Sequence, residues 1–229
     1  PALKSEHEFR IMGTSPPRFD VPPKVDGSAN FGIDAVLPGM KNAAIRAAPV
    51  FGGRVLSVDE SSIQDMPGVR KTVNLGDAVA IIADGYWQAS KALDKLAVEF
   101  DDGGNGTTAQ DDIFEQFARE LDSAAAGGRE KDDFIAGDAD AALDGAAQVL
   151  EAEYRVPFLA HATMEPMNCT AWVHDNRCEL WLGTQNPLGF AQQVAKAIDM
   201  DASQVLLHNQ YLGGGFGRRA FDDFAIQAA

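Results

Sequence analysis

Seven residues near the C-terminal end, Gly213-Gly214-Gly215-Phe216-Gly217-Arg218-Arg219, stand between a predicted strand and a predicted helix. Glycines allow backbone angles closed to other residues and let a ligand approach the main chain. Exposed N–H groups in such a turn, with two arginines behind them, suit an anionic or oxo-bearing ligand. On pattern alone, glycine clusters more often make plain tight turns. Two nucleotide readings fail on spacing. No lysine followed by Ser or Thr trails the glycines as a P-loop requires, and Arg218 occupies the place of the third glycine in GxGxxG. No GxSxG nucleophile motif occurs.

The remaining reactive side chains are scattered. On a helix, His161 and Glu165 would share a face at i,i+4, but two ligands are short of a zinc site and Pro166 ends any such helix. An orienting or packing role is the expectation. His7, His174 and His208 have no partner at a telling spacing and read as surface or satisfied core histidines. Cys169 and Cys178 lack the paired spacing of a zinc or iron–sulfur site and read as buried thiols. A hairpin turning at Asp175-Asn176 sets Cys178 opposite Val173, leaving Cys169 about four residues, roughly 13 Å, along the ladder, too far for a disulfide. Acidic pairs such as Asp132-Asp133 read as solvated linker charges. Met164 and Met167 read as core fillers.

The elements that must position these groups divide at an acidic, Ala/Gly-rich tract from Asp122 to Ala142, read as a linker with short helices. Before it, residues 18–27 (RFDVPPKVDG) read as an extended lead-in. Strands are expected over 43–50 and 54–58, after the turn at 66–69, and at 78–83, where AVAIIA suits a strand covered on both faces. Tyr86, Ala89, Leu93 and Leu96 follow at helical spacing, and 97–100 closes a β-α-β pattern. Thr108 with Asp111 resembles a capping box opening a helix with Ile113, Phe114, Phe117 and Leu121 on one face. Beyond the tract, strands are expected over 149–156, 168–173, 178–182 and 205–211. Asn186-Pro187 should cap a helix carrying Leu188, Ala191, Val194, Ala195 and Ile198 on one side.

Composition narrows the function classes. The chain has 229 residues, 45% of them hydrophobic, enough for one domain and part of another. Thirty-four acidic against nineteen basic residues give a charge of −15, which repels polyanions and argues against a nucleic-acid partner. No apolar run reaches the roughly 20 residues of a membrane span.

Taken together, GGGFGRR at 213–219, PPKVDGSANFGIDAVLPGM at 22–40, AHATMEPMNCTA at 160–171 and GTQNP at 183–187 resemble the molybdopterin-binding large subunits of the xanthine dehydrogenase and aldehyde oxidase superfamily. The doubled arginine is most similar to the branch of isoquinoline 1-oxidoreductase beta subunits and membrane-associated aldehyde dehydrogenases. The resemblance covers nearly the whole chain and is weakest over 101–145.

It implies an α+β fold: an α/β hammerhead domain over residues 1–146 with its lead-in and acidic linker, then the first part of a molybdenum cofactor-binding domain over 147–229. The chain would be an internal fragment of a longer bacterial oxidoreductase. Gly213, Gly214, Gly215, Phe216, Gly217 and Arg218 would line the cofactor, with Phe216 and the Gly217 N–H beside the metal's oxo group, and Gln185 lining the cleft. The cofactor implied is molybdopterin in its cytosine dinucleotide form, none of it expected on the fragment alone. No catalytic residue is expected within the chain, since the family's general base lies far C-terminal to it. The implied partners are a small iron–sulfur subunit and an N-heteroaromatic or aldehyde substrate. Leu159 and Ala220 stand where purine-oxidising members carry glutamine and glutamate, so a purine substrate is not expected. A periplasmic or membrane-associated setting, through the parent protein, follows by resemblance only. The competing expectations are a non-catalytic module that docks another subunit and, last, an autonomous anion-binding protein.

Overall fold

The structure, a computed structural model, describes residues 3–124 and 136–229. Its helices are α1 (Val21–Asp26), α2 (Tyr86–Lys95), α3 (Gln110–Ser123), α4 (Ala139–Asp144), α5 (Pro187–Ala197) and α6 (Asp223–Ala228). Its strands are β1 (Asn42–Ala47), β2 (Val55–Asp59), β3 (Val69–Asn74), β4 (Ala78–Ala83), β5 (Ala97–Phe100), β6 (Thr170–His174), β7 (Arg177–Leu182) and β8 (Val205–Asn209). The chain divides into two compact units, residues 39–160 and residues 1–38 with 161–229.

In the unit 39–160, the apolar run AVAIIA becomes β4, the middle strand of an antiparallel sheet ordered β1-β4-β3. Val79, Ile81 and Ala83 pack with Ala89, Ala92 and Leu93 of α2 and with Ile63. Each large aliphatic side chain buried this way contributes about 1.5–3 kcal/mol, so this face dominates the unit's cohesion. The β-α-β pattern splits between two ladders, because β5 pairs antiparallel with β2 rather than joining β4. Tyr86 turns outward at the first residue of α2, leaving Ala89, Ala92 and Leu93 as its buried stripe.

Two expectations shift in this unit. The cap of α3 lies one residue beyond Thr108 and Asp111: the Ala109 N–H donates to the Asp112 carboxylate at 2.7 Å. No strand forms over 149–156, despite alternating apolar residues at Leu150, Ala152, Tyr154 and Val156. Alternation prepares a residue for a sheet face, but a strand also needs a neighbour to accept its N–H groups, and none of the described strands pairs with it. Of the acidic tract, α4 is described, with Asp138 accepting from the Ala141 N–H at 3.0 Å as its N-cap; Asp132-Asp133 lie outside the described residues.

In the other unit, β6 and β7 form the expected hairpin. Asp175 and Asn176 both adopt positive φ, 44° and 58°, as a two-residue turn of this twist requires. Cys178 pairs with Val173, and both cysteines are free thiols. The chain leaves β7 through α5 and returns as β8, parallel to β7. Asn186 accepts from the Gly189 N–H at 3.1 Å and Pro187 takes the first helical position. Phe190, Val194 and Ala195 form the buried stripe of α5 over Leu180, Leu182 and Phe224. That phase rotates Leu188 to solvent, against the expectation. Residues 21–26, expected to be extended, form α1 instead: its prolines fall in the first turn, where no N–H is needed, and Gly27 ends it at φ 81°.

Candidate functional site

The glycine loop begins where β8 ends, and it is tied to the body of its unit before it turns. Gln210 N–H donates to Leu182 O at 2.9 Å, and Tyr211 bridges Phe31. Glu165 then meets the loop edge-on. Its N–H donates to Gly213 O at 3.0 Å, and its Oε2 accepts the Gly213 N–H at 2.9 Å. Its Oε1 accepts from the Ile33 N–H at 3.2 Å and from Asn168 Nδ2 at 2.9 Å. A Cβ on Gly213 would lie 2.3 Å from Glu165 Cβ, so this approach requires glycine.

Arg219 closes the other side. Its side chain is closed to solvent, and Nη2 donates to Glu165 Oε2 at 2.9 Å and to Glu165 O at 2.8 Å. Its Nε donates to Gly214 O at 2.8 Å. Burial lowers the guanidinium pKa, and the Glu165 carboxylate opposes that shift; Arg219 remains a cation. Its own carbonyl accepts from the Gln185 N–H and Thr184 Oγ1, both at 3.0 Å, which joins the end of β7 to the loop.

The opposite side of the loop is left polar and open. The N–H groups of Gly214, Gly215 and Phe216 have no hydrogen-bond partner among the described residues. The Gly217 N–H donates to Gln185 Oε1 at 3.1 Å, so Gln185 stands at the loop and already occupies that amide. A Cβ on Gly215 would lie 2.7 Å from the same Gln185 oxygen. Phe216, 73% exposed, is held at φ 54°, a conformation that costs a bulky residue about 1–2 kcal/mol. His161 Nε2 would be 3.7 Å from a Cβ on Gly217. Three consecutive free amides in a glycine cradle fit a group rich in acceptor oxygens.

Several sequence readings change here. Neither arginine offers an unpaired charge to the amides: Arg219 is paired with Glu165, and Arg218 forms two bonds to the Asp223 carboxylate, at 2.7 and 2.6 Å. Burial pushes the Asp223 carboxyl up, but the Arg218 hydrogen bond and charge outweigh it and leave it below its ordinary value. His161 and Glu165 share no helix, since Ala162 has φ 47° and a bend follows. Met164 is 91% exposed rather than core, whereas Met167 packs on the α5 cluster.

The histidines hold a relationship that spacing did not show. His174 Nε2 and His208 Nε2 both meet the Glu179 carboxylate, at 3.1 and 2.7 Å. His174 stacks on Trp172 and His208 on Trp181, with ring centroids 3.8 and 4.6 Å apart. Cross-strand pairing creates this cluster, so His208 and Glu179, 29 positions apart, become neighbours only once β7 and β8 align. No group of three or more His, Cys, Asp or Glu side chains among the described residues is placed to hold a metal ion. Nor is any described helix long and apolar enough to cross a membrane.

In a comparison against known proteins, residues 123–229, which contain this loop, match the molybdopterin cofactor-binding domain. Those residues belong to the molybdopterin cofactor-binding family. The chain carrying this domain is 32% identical over 99% of its length to a Gluconacetobacter polyoxogenes protein named membrane-bound aldehyde dehydrogenase (pyrroloquinoline-quinone). It is 28% identical over its full length to the isoquinoline 1-oxidoreductase subunit beta of Brevundimonas diminuta. The chain spans 30% of the length of each relative. The fold is similar to that of part of quinoline 2-oxidoreductase from Pseudomonas putida 86, at a TM-score of 0.64 and 18% identity over 90% of this chain and 31% of that one. The α+β class expected from the sequence therefore holds, as does the molybdopterin-binding relationship read from 213–219 and its three companion stretches.

Proposed function

We propose that this chain is a portion of the large subunit of a molybdopterin-dependent oxidoreductase acting on N-heteroaromatic compounds or aldehydes. The observation that carries the reading is the row of free amides at Gly214, Gly215 and Phe216 inside the matched domain. Gly214, Gly215 and Phe216 would hold the cofactor's oxygen atoms through their main-chain N–H groups, and Gln185 through its side-chain amide N–H₂, while Gly213 and Gly217, whose amides are bonded to Glu165 and Gln185, would shape the loop around it. Arg218, already paired with Asp223, would contribute by fixing the loop's exit rather than by free charge. When bound, the group supplies the redox step, accepting the electrons removed from a substrate carbon. Phe216 would present an exposed aromatic face beside it, suited to a flat or apolar substrate.

The finer parts of the reading follow the resemblance: the cytosine dinucleotide form of the cofactor, an iron–sulfur partner that takes the electrons, and a general base outside these residues. The hammerhead expected over 1–146 would have its packed part within the unit 39–160, whereas residues 1–38 group with 161–229. Pyrroloquinoline quinone, named for one relative, is not carried over, because the matched domain is a molybdopterin one. Leu159 and Ala220 leave a purine without the partners it would need.

The test is metal analysis and turnover of the longer subunit produced with its cofactor, using isoquinoline, an aliphatic aldehyde and xanthine. Stoichiometric molybdenum with oxidation of one of the first two supports the reading. A metal-free protein, or oxidation of xanthine alone, refutes it. The 229-residue chain alone is expected to hold no molybdenum and to show no turnover.

A further inference from the structure

A planar trans peptide points its C=O and the following N–H in opposite directions. Fixing the carbonyls of a loop on one side therefore aims the next amides toward the other. In this loop Gly213 O is held by the Glu165 N–H at 3.0 Å, and Gly214 O by Arg219 Nε at 2.8 Å. The amides that follow those carbonyls are Gly214 N–H and Gly215 N–H, two of the three left without a partner. Gly215 O is likewise taken by the Arg218 N–H at 2.9 Å, and the next amide, Phe216 N–H, is the third.

We infer that Glu165 and Arg219 form a positioning pair that clamps the loop from its carbonyl side and thereby aims the Gly214 and Gly215 amides at the cofactor. The inference rests on the molybdopterin reading for the identity of the ligand, but the clamp itself is a property of this chain. Neither residue touches the ligand. Glu165 acts through both polar groups of Gly213 and through Arg219, whose guanidinium needs the carboxylate beside it to remain buried. Lysine at 219 would keep the charge but lacks the fork that bonds Gly214 O and Glu165 together. Glutamine at 165 would keep the shape but places an N–H₂ against donors.

The experiment compares Glu165→Gln, Arg219→Lys and a control, Val194→Ala, which destabilises the same unit from its core without touching the loop. In the longer subunit, molybdenum retained after dilution is measured beside the thermal midpoint. Both loop variants are expected to lose metal about 10–100-fold more readily than wild type, as when groups that orient a ligand set are removed. Val194→Ala should retain it at a comparable loss of midpoint. In the 229-residue chain, the Gly214 and Gly215 amide resonances should move in Arg219→Lys and stay in place in Val194→Ala. Wild-type retention in both loop variants, equal loss in the control, or unmoved glycine resonances would overturn the clamp. A wild-type subunit without molybdenum would overturn the cofactor reading instead, and the resonances alone would then decide the clamp.

Discussion

Arg219 Nη2 lies 2.9 Å from Glu165 Oε2, with the guanidinium closed to solvent and the carboxylate side chain 6% exposed. Breaking a buried pair by removing one partner strands the other charge, at a cost of about 3–5 kcal/mol. Arg219→Met is therefore expected to lower unfolding stability by that amount in urea titration. The double variant with Glu165→Leu should recover only part of it: no charge is left behind, but the Gly213 and Ile33 N–H groups and Asn168 Nδ2 lose their acceptor. A single variant within about 1 kcal/mol of wild type would mean that the pair adds nothing to the fold.

Two neighbouring glycines should differ sharply. At Gly213 an added Cβ meets Glu165 Cβ at 2.3 Å, on a residue anchored by its main chain and both carboxylate oxygens. Gly213→Ala should cost about 1–3 kcal/mol or more by overpacking. At Gly215 the Cβ meets only the end of the Gln185 side chain, which can swing away. Gly215→Ala should leave the melting temperature nearly unchanged while breaking the Gln185 bond to the Gly217 N–H. Equal destabilisation by the two substitutions would contradict this.

Phe216 is held in the left-handed region with its ring exposed, so the fold gains little from its side chain. Phe216→Gly should leave stability unchanged or raise it by about 0.5–1 kcal/mol, because glycine adopts this φ without penalty. A fall of more than about 1 kcal/mol in denaturant titration would show that the ring packs in a way its exposure hides. Strain kept at an exposed loop tip is consistent with a functional constraint on the backbone.

The Glu179 carboxylate is held below its ordinary value by hydrogen bonds first to His208 and then to His174. A carboxyl whose folded pKa is depressed stabilises the protein above its unfolded value, and that stability disappears as pH falls through the folded one. The β6-β7-β8 sheet should therefore lose stability below about 4.5, the ordinary value. Comparing melting temperatures from about pH 6 to about pH 3, the Glu179→Gln variant should show a shallower acid limb than wild type. Parallel acid limbs would show that this cluster does not contribute.

Burial, with a smaller effect from Cys178, pushes the Cys169 thiol up to about 12, and burial raises Cys178 as well. The thiolate is the reactive form, so neither cysteine should react with a disulfide reagent at about pH 8 while the chain is folded. Both should label once it is denatured. Rapid labelling of either in the native chain would place it on an accessible surface.

Local signals were sufficient wherever one residue type dictates one backbone outcome. Asp175-Asn176 fixed a hairpin, Asn186-Pro187 a helix start, AVAIIA a buried strand, and the glycines of 213–217 a loop open to close approach. Family likeness was legible from the order of four short stretches. The strand expected over 149–156 failed because its partner cannot be written in its own residues. Leu188 came out exposed because helix phase, rather than hydrophobicity, sets its direction, and Met164 is exposed at a bend outside any helix or strand.

What the tertiary structure alone decided is how charge is disposed around the loop. In sequence, Arg218 and Arg219 are equivalent neighbours and Glu165 lies about fifty residues away. Folding pairs one arginine with Asp223 at the surface and buries the other on Glu165. A side chain's partner depends on which distant strands align, and that is a property of packing over the whole unit that no local window contains.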